Sequence, residues 1–369
     1  MSARRRIMIV VGTRPEAIKM APVILALREQ PWADVRVLAT AQHRQMLDQV
    51  LAAFGIVPDI DLDIMQPGQA LTALTARLLL RIDDVLATER PDLVLLQGDT
   101  TTVMSVAMAC FYHRIPIGHV EAGLRTGDLD NPFPEEMNRI VAGRLARWHF
   151  APTETSRGNL LREGFAGDNI FVTGNTVIDA LHQVAERELD IGVDIDPDKR
   201  LVLVTAHRRE NFGEPFRAVC RAIRHLADSN PDTIFLYPVH PNPNVSEVAR
   251  EMLAGHERIT LCKPLDYLPF VAAMKRAHVI LTDSGGVQEE APALGKPVLV
   301  LRRETERPEA VEAGVVKLIG TDYDAVVNET NRLLRDGAAW RAMARGVSPY
   351  GDGRAASRIT EVLRHQLAA

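Results

Sequence analysis

Cysteine is scarce in this 369-residue sequence, which contains only Cys110, Cys220 and Cys262. The three lie far apart within apolar segments, and no pair has CxxC spacing. This distribution excludes a disulfide framework and a cysteine-based zinc site. It is typical of proteins in a reducing compartment.

Long apolar runs and an excess of positive charge are also missing. Arginines occupy the start of the sequence, but the apolar run behind them is only IMIVV before Gly12. That run is too short for a signal peptide or a membrane span. The formal net charge of −5 argues against nucleic acid as the main partner. We therefore expect a cytoplasmic protein with neither a membrane nor a nucleic acid as its partner.

Several catalytic signatures are absent as well. The sequence contains no GxGxxG, GxSxG or HExxH motif and no GxxxxGK[ST] loop. Hydride transfer on a dinucleotide, serine hydrolysis and zinc chemistry therefore lack their usual sequence patterns. Lysine is rare too, which makes Lys19 in a motif-rich loop stand out.

Short β-branched runs alternate with amphipathic stretches along the whole chain, and the length favours two domains. The spacing predicts an α/β fold of two Rossmann-like, doubly wound parallel-sheet domains, over 1–174 and 175–351, with ELDIGVDIDPDKR as a linker. Side by side, such domains form a cleft at the carboxyl ends of their strands, where ligands bind. The predicted strands are 7–11, 35–39, 93–97, 116–120, 148–151, 170–172, 201–206, 233–237, 258–261, 278–282, 297–301 and 315–318.

A strand-to-helix turn, Asp283-Ser284-Gly285-Gly286, is a candidate phosphate site. The first N–H groups of a helix attract anions, the glycines allow close approach, and Ser284 can cap the helix or contact phosphate. A plain tight connection is the alternative. Arg307, after the next strand, is placed to bind a phosphate or a ribose hydroxyl.

Polar residues also follow the strands of the first half. Arg14 and Lys19 follow the first strand, and Asp99 follows LVLLQG, where it could equally be a helix N-cap. Strand alternation places His119 and Glu121 on one side, ahead of a long polar loop that we expect to be functional.

The loop is followed by a helix beginning at Pro134, and one of its acids, Glu135 or Glu136, is expected only to complement the helix dipole. In the second half, His207 ends a strand, and His240 either binds ligand or holds a turn. Several carboxylates and a histidine beside a diphosphate site fit acid–base chemistry on a sugar whose nucleotide is the leaving group.

These motifs together resemble the non-hydrolysing UDP-N-acetylglucosamine 2-epimerases. The resemblance extends from residue 12 to about 313 and keeps the order of the motifs. Its segments are GTRPEAIKMAP, QGDTT, HVEAGLRTGD, PFPEEMNR, TAHRREN, YPVHPNPNV, LDYLPF, LTDSGGVQEEAP and ERPEAV. The family's fold implies the GT-B arrangement of the two domains, with the active site in the cleft and with the C-terminal helix 352–369 completing the first domain.

The resemblance also implies the reaction. UDP leaves with loss of the proton on carbon 2, giving 2-acetamidoglucal, and adds back with protonation on the other face to give UDP-N-acetylmannosamine. No metal and no dissociable cofactor is implied, and a homodimer is expected. The catalytic positions of the family are matched by Asp99, Glu121, Glu135 and His207. Its substrate-binding positions are matched by Arg14, Lys19, Phe270, Ser284, Gly285, Gly286, Glu290 and Arg307.

Bacterial members of the family often bind a second UDP-N-acetylglucosamine as an activator. This chain keeps the matching residues Gln42, His43 and Gln45, but Gln66-Pro67-Gly68-Gln69 stands where some members carry an arginine. A plain amphipathic helix over 42–53 is the alternative. For the protein as a whole, the alternatives are a hydrolysing 2-epimerase, a GT-B glycosyltransferase and a nucleotide-sugar sensor without turnover.

Overall fold

The computed structural model describes residues 4–40, 44–64, 66, 68–305 and 307–368. It divides into two compact units, Met1–His182 with Tyr350–Ala369, and Gln183–Pro349. Each unit contains one parallel sheet with helices, which confirms the expected α/β class. The division falls inside a helix that begins at Thr176, beyond the boundary at 174/175 expected from the sequence, because this helix packs with the C-terminal segment.

The sheet of the first unit has the strand order β3-β2-β1-β4-β5-β6-β7, and that of the second has β10-β9-β8-β11-β12-β13. All strands pair in parallel. Of these strands only β3 was not predicted, because two residues are too few to show a period. The bounds are β1 Arg5–Val11, β2 Ala33–Ala39, β3 Ile60–Asp61, β4 Leu93–Gln97, β5 Ile117–Val120, β6 Trp148–Ala151, β7 Ile170–Val172, β8 Arg200–Thr205, β9 Thr233–Pro238, β10 Ile259–Cys262, β11 Val279–Thr282, β12 Val298–Val300 and β13 Val316–Leu318.

The helices connect successive strands and cover the sheets. None of those within the described residues combines the length and the hydropathy that a bilayer span needs. Their bounds are α1 Arg14–Arg28, α2 Arg44–Ala53, α3 Leu71–Glu89, α4 Thr101–Tyr112, α5 Glu135–Leu145, α6 Glu154–Arg162, α7 Thr176–Ala185, α8 Glu214–Ser229, α9 Pro243–Leu253, α10 Tyr267–Arg276, α11 Gly285–Ala293, α12 Pro308–Glu312, α13 Tyr323–Arg335, α14 Gly337–Met343 and α15 Ala355–Ala368.

In both sheets, successive strands are added first on one side of the first strand and then on the other. The change of side falls between β1 and β4 in the first unit and between β8 and β11 in the second. These strands are buried on both faces, as expected for a sheet covered by helices. At such a switch point the loops at the carboxyl ends part and leave room for a ligand. The loops after β1, β4, β8 and β11 are therefore the places to look for chemistry.

The C-terminal helix α15 belongs to the first unit. Its first amides, those of Ala355 and Ala356, donate to the carboxylate of Asp179 at 3.1 and 2.8 Å. Asp179, on α7, is 4 % exposed, and burial raises its pKa while these hydrogen bonds oppose the rise. A buried carboxylate at a helix N-terminus stabilises that contact through orphan donors and the helix dipole.

Candidate active site

Glu121 follows β5 directly and has an unusual backbone conformation, with φ of 62°. A left-handed conformation costs free energy in a residue with a side chain, and such residues cluster at functional sites. The carboxylate is held: Oε2 accepts hydrogen bonds from Lys19 Nζ at 2.5 Å and from Gln97 Nε2 at 2.7 Å. The side chain of Glu121 is only 7 % exposed. The fold therefore brings Lys19 and Glu121 together, far apart though they are in the sequence.

Asp99 lies at the end of the neighbouring strand. Its Oδ2 is 2.7 Å from Arg139 Nη2, and its backbone carbonyl accepts a hydrogen bond from Asn138 Nδ2 at 2.9 Å. The alternative that Asp99 caps α4 is wrong, because Thr100 is the N-cap and accepts from the amide of Val103 at 3.3 Å. Asp99 is thus a partly exposed carboxylate paired with a cation.

Helix α5 begins with two acids that have different environments. Glu136 is fully buried and accepts hydrogen bonds from the amides of Thr126 and Gly127, both at 3.1 Å, so it holds the polar loop. Glu135 is half-buried at the first position of the helix. Arg139, which pairs with Asp99, lies four residues further on and therefore on the same helix face as Glu135. Arg139 also lies 3.4 Å from Glu136 Oε2, so it links the buried acid of this helix to Asp99.

One cation of the polar loop is held by contacts within the first unit. Arg125 donates two hydrogen bonds to the carboxylate of Glu163, at 2.5 and 3.0 Å, and a third to the carbonyl of Leu124. These contacts explain Arg125, and the functional role expected of the loop stays a prediction.

His119 contacts the backbone just before Asp99. It is 2 % exposed, and Nε2 lies 2.8 Å from the carbonyl oxygen of Gly98, the residue before Asp99. Burial lowers the pKa of His119 to about 4, so the ring is neutral at pH 7. Because a carbonyl oxygen only accepts, Nε2 carries the proton. His119 is a structural residue and does not share the environment of Glu121, where β5 has ended.

Glu16 joins the loops after β1 and β4. Its Oε2 accepts from the amides of Gly12 and Thr13 at 2.6 and 2.7 Å, and its Oε1 accepts from the hydroxyl of Thr100 at 2.6 Å. Burial raises the pKa of Glu16, and these hydrogen bonds oppose the rise. Sequence reasoning missed this role, although Thr13-x-x-Glu16 has the pattern of a capping box, which α1 does form.

In the second unit, the turn after β11 leads into α11 with Ser284 at the N-cap. Of the two alternatives for Ser284, capping by its side chain is wrong, because its hydroxyl makes no capping hydrogen bond, and contact with phosphate stays a prediction. The amide of Ser284 instead donates to Thr282 Oγ1 at 2.9 Å. The first N–H groups of α11 have no partner inside the helix and carry its positive dipole end.

Arg307 lies at the same helix N-terminus. A Cβ atom added to Gly285 would be 2.9 Å from Arg307 Cζ, so the guanidinium lies directly against this glycine. Arg307 Nε donates to Glu289 Oε1 at 2.7 Å, and Glu289 is 3 % exposed. A guanidinium and a helix N-terminus side by side favour an anion such as phosphate. Sequence reasoning did not identify Glu289 as the residue that orients Arg307.

Asp283, the first residue of this turn, is fully buried and organises the loop after β8. Its Oδ2 accepts from the amides of His207 and Arg208, both at 2.8 Å, and from Asn211 Nδ2 at 3.2 Å. These bonds fix the backbone that carries His207. The fold thus brings His207 to the turn that holds Ser284.

His207 is the titratable group at this position. Its ring stacks on His240, with 5.4 Å between centroids and 13° between planes. Burial lowers the pKa of His207, helped by His240 and Arg208, while Asp283 opposes the shift. The neutral ring can donate a hydrogen bond from one nitrogen to a bound anion. His240 Nδ1 also accepts from the amide of Asn242 at 3.2 Å, so His240 holds a turn as well.

The remaining predicted residues have simpler environments. Arg14 is the first residue of α1, and Phe270 is half-buried on α10. On α11, Gly286 is the second residue and Glu290 is buried. Of the activator positions, Gln42 and His43 lie outside the described residues, and Gln45 is in α2. Within the described residues, no cluster of three or more His, Cys, Asp or Glu side chains could hold a metal ion.

Comparison with known proteins shows the family. A family model described as UDP-N-acetylglucosamine 2-epimerase matches residues 25–364. The UDP-N-acetylglucosamine 2-epimerase of Escherichia coli K12 is 54 % identical over 370 residues, which cover 98 % of each chain.

Solved structures agree. One is the UDP-GlcNAc 2-epimerase of Neisseria meningitidis bound to UDP-GlcNAc, with 46 % identity, a TM-score of 0.89, and 98 % of this chain and 100 % of that one covered. Another is the Methanocaldococcus jannaschii enzyme in complex with UDP-GlcNAc and UDP, with 33 % identity, a TM-score of 0.79, and 98 % and 99 % covered. The protein is therefore an enzyme of the UDP-N-acetylglucosamine 2-epimerase family.

Proposed function

We propose that this enzyme interconverts UDP-N-acetylglucosamine and UDP-N-acetylmannosamine without net hydrolysis. UDP is eliminated with the proton on carbon 2, and it then adds back to 2-acetamidoglucal with protonation on the opposite face. The observation that carries the proposal is the restrained Glu121 carboxylate, held between Lys19 and Gln97 at a strained backbone position. A weakly acidic C–H requires such a preorganised base and a stabilised leaving group.

We propose that the first unit is the N-terminal domain of the enzyme and that its residues transfer the proton. Asp99 and Glu121 are the essential pair, and Glu135 is a third carboxylate on the helix that supplies the partner of Asp99. Lys19 and Arg139 are the cations at the pair. Either member of the pair can be the base, with the other returning the proton on the opposite face.

We propose that the second unit is the C-terminal domain of the enzyme and that it binds UDP. The N-terminus of α11, with Ser284, Gly285 and Gly286, and the guanidinium of Arg307 supply the positive groups for the diphosphate. Glu290, Phe270 and Arg14 are assigned to contacts with the substrate by the family resemblance. The neutral ring of His207 can donate an N–H hydrogen bond to the departing UDP, which stabilises the leaving group.

Further expectations concern the protein's setting. We propose that UDP-N-acetylglucosamine and UDP are its ligands, that it acts in the cytoplasm, and that its product supplies N-acetylmannosamine for cell-surface polysaccharide. A homodimer is supported by large apolar side chains exposed on α3 and at the end of α4. Leu80 is 71 % exposed, Phe111 59 % and Tyr112 70 %. Sedimentation equilibrium giving a monomer at micromolar concentration would contradict the dimer.

The reaction is tested with pure protein and UDP-N-acetylglucosamine in heavy water. We expect UDP-N-acetylmannosamine with deuterium at carbon 2, and deuterium in recovered substrate because the reaction is reversible. Free N-acetylmannosamine with UDP would instead show the hydrolysing reaction. Release of UDP only with an acceptor would show a glycosyltransferase, and tight binding without exchange would show a sensor.

A further inference from the structure

We propose that Gln97 is a positioning residue for Glu121. Its side-chain amide holds the carboxylate in the orientation and charge state that proton transfer requires. The inference rests on the proposed function, in which Glu121 exchanges the proton on carbon 2. It adds a residue that the sequence pattern placed inside a buried strand.

Sheet register brings the two residues together. Gln97 is the last residue of β4 and is 4 % exposed. It pairs across the sheet with Val120, the last residue of β5, and Glu121 follows immediately. The amide of Gly98 donates to the carbonyl of Val120 at 3.1 Å, which continues the ladder past Gln97. The Gln97 side chain is therefore attached to a central strand, and its position does not depend on a loop.

The contact has a defined direction. Gln97 Nε2 and Lys19 Nζ approach the same oxygen, Glu121 Oε2, at 2.7 and 2.5 Å. An ionised carboxylate only accepts, so the amide of Gln97 donates its N–H. A hydrogen bond to a charged acceptor is short and strong, and it favours the ionised form. Unlike Lys19, the amide does this without adding charge, and its plane fixes the angle of approach.

The backbone of Glu121 gives this contact a second purpose. A non-glycine residue in the left-handed region costs on the order of 1–3 kcal/mol and persists only where its surroundings over-determine it. Glu121 has φ of 62°, and the grip of Gln97 and Lys19 on its carboxylate supplies part of that restraint. Loss of the amide should let the carboxylate rotate while the substrate contacts stay in place.

The test replaces Gln97 with methionine, which keeps the length of the side chain and removes the donor. For Gln97→Met we expect kcat to fall about tenfold, with KM within about twofold, because roughly one charge-assisted hydrogen bond is lost. The acidic limb of the kcat profile should move to higher pH by about one unit. Gln30→Met is the matched control, since the side-chain amide of Gln30 donates to the backbone carbonyl of Ala26 on α1, at 3.2 Å.

A readout without turnover separates this inference from the proposed function. With glutamate labelled at the side-chain carboxyl carbon, NMR follows the titration of Glu121, assigned by its loss in Glu121→Gln. In Gln97→Met the midpoint should rise by about one unit, even if the protein catalyses no epimerisation. An unchanged midpoint and an unchanged kcat profile would overturn the role of Gln97. Absence of turnover in the unsubstituted enzyme would instead overturn the proposed function.

Gln97→Glu provides a second variant of the same shape in case methionine unfolds the protein. The carboxyl group introduced by this substitution can still donate to Glu121 when it is protonated, whereas its ionised form repels Glu121. At low pH we expect kcat to be near that of the unsubstituted enzyme. As the pH rises and the new carboxyl ionises, kcat should fall, and this fall should begin at a lower pH than any fall on the basic side of the unsubstituted enzyme's profile. A superimposable pH profile would contradict the proposal.

Discussion

In the first unit, the buried carboxylate of Glu16 joins the loop after β1 to the loop after β4. In the second unit, the buried carboxylate of Asp283 joins the loop after β8 to the loop after β11. The pair β1 and β4 corresponds to the pair β8 and β11, because each pair flanks the switch point of its sheet. The two carboxylates come from opposite sides of the switch point: Glu16 lies in the first turn of α1, after β1, and Asp283 lies in the turn after β11.

We call the buried carboxylates of Glu16 and Asp283 braces, because each joins two loops. The residues beside the two braces differ. In the first unit they are carboxylates paired with cations, Asp99 with Arg139 and Glu121 with Lys19. In the second they are a helix N-terminus, a guanidinium at Arg307 and a neutral imidazole at His207. The same way of joining two loops thus lies beside the residues that we assign to proton transfer in one unit and beside those that we assign to anion binding in the other.

The largest expected effect separates catalysis from binding. Asp99→Asn and Glu121→Gln should each lower kcat by about 10²–10⁴-fold, because each removes a general acid or base. UDP affinity should stay within about twofold, since these residues belong to the unit assigned to proton transfer. Steady-state kinetics and calorimetry measure the two quantities, with exposed Glu154→Gln as the control. A large loss of UDP affinity in either variant would break the division of labour.

The next effect tests whether the two braces are equivalent. Glu16→Ala and Asp283→Ala each strip a buried acceptor from three donors, which should lower the free energy of unfolding by about 3 kcal/mol. Denaturant unfolding measures it. The exposed first-turn acids Glu154 and Asp324, changed to alanine, should alter it by no more than about 0.5 kcal/mol. If only one brace proves destabilising when removed, the parallel between the units fails.

A smaller effect concerns the anion site. Arg307→Ala should weaken UDP binding by about 10- to 100-fold, the value of one hydrogen bond between charged groups. Arg307→Lys should recover part of it, because lysine keeps the charge and loses the planar geometry. Calorimetry gives the affinity, and thermal unfolding checks for the loss of the partner of Glu289. Arg332→Ala, on the surface of α13, is the control. UDP affinity unchanged in Arg307→Ala would mean that its assigned role is wrong.

The last contrast is a difference in acid sensitivity. Burial lowers the pKa of His119 to about 4 and that of His149 to about 3, from 6.5. The unfolded chain therefore binds more protons as pH falls below 6.5, and stability is lost down to about pH 4. The slope is about 1.4 kcal/mol per pH unit for each histidine.

In the second unit burial also lowers the pKa of His207 and His278, but both are more exposed, so the loss there should be weaker. Hydrogen exchange followed by mass spectrometry, between pH 7 and pH 4.5, resolves the two units. His149→Phe should reduce the slope in the first unit. Equal slopes in both units would remove this contrast.

Much of the fold could be predicted because its signal is local. Buried strands such as 93–97 and 279–282 show as short apolar runs, and the helices between them show a period. The strand β3 was missed because its two residues carry no period. The N-cap of α4 was ambiguous because Asp99 and Thr100 are adjacent and both are capping residues.

The site was predicted only in part, because its contacts are not local. Gln97 ends the run LVLLQ and resembles any residue of a buried strand, while its partner Glu121 is 24 positions away. Glu289 and Glu290 are neighbours in one motif, and nothing in the pattern shows that Glu289 orients Arg307. In the polar loop after β5 the pattern could not show that Arg125 and Glu136 have partners within the unit, because those partners lie far away in the sequence or on the backbone.

The sequence by itself determined the class of fold, the two series of strands and helices, and the family, because periodicity and ordered motifs are written along the chain. Tertiary structure decided which of these polar residues hold loops together and which have their side chains paired at the ends of the strands. It placed Glu121 in a left-handed conformation between Lys19 and Gln97, and it buried Glu16 and Asp283 beneath the loops. The physical reason is that burial and hydrogen-bond partners depend on strand register and loop packing, which join residues distant in sequence.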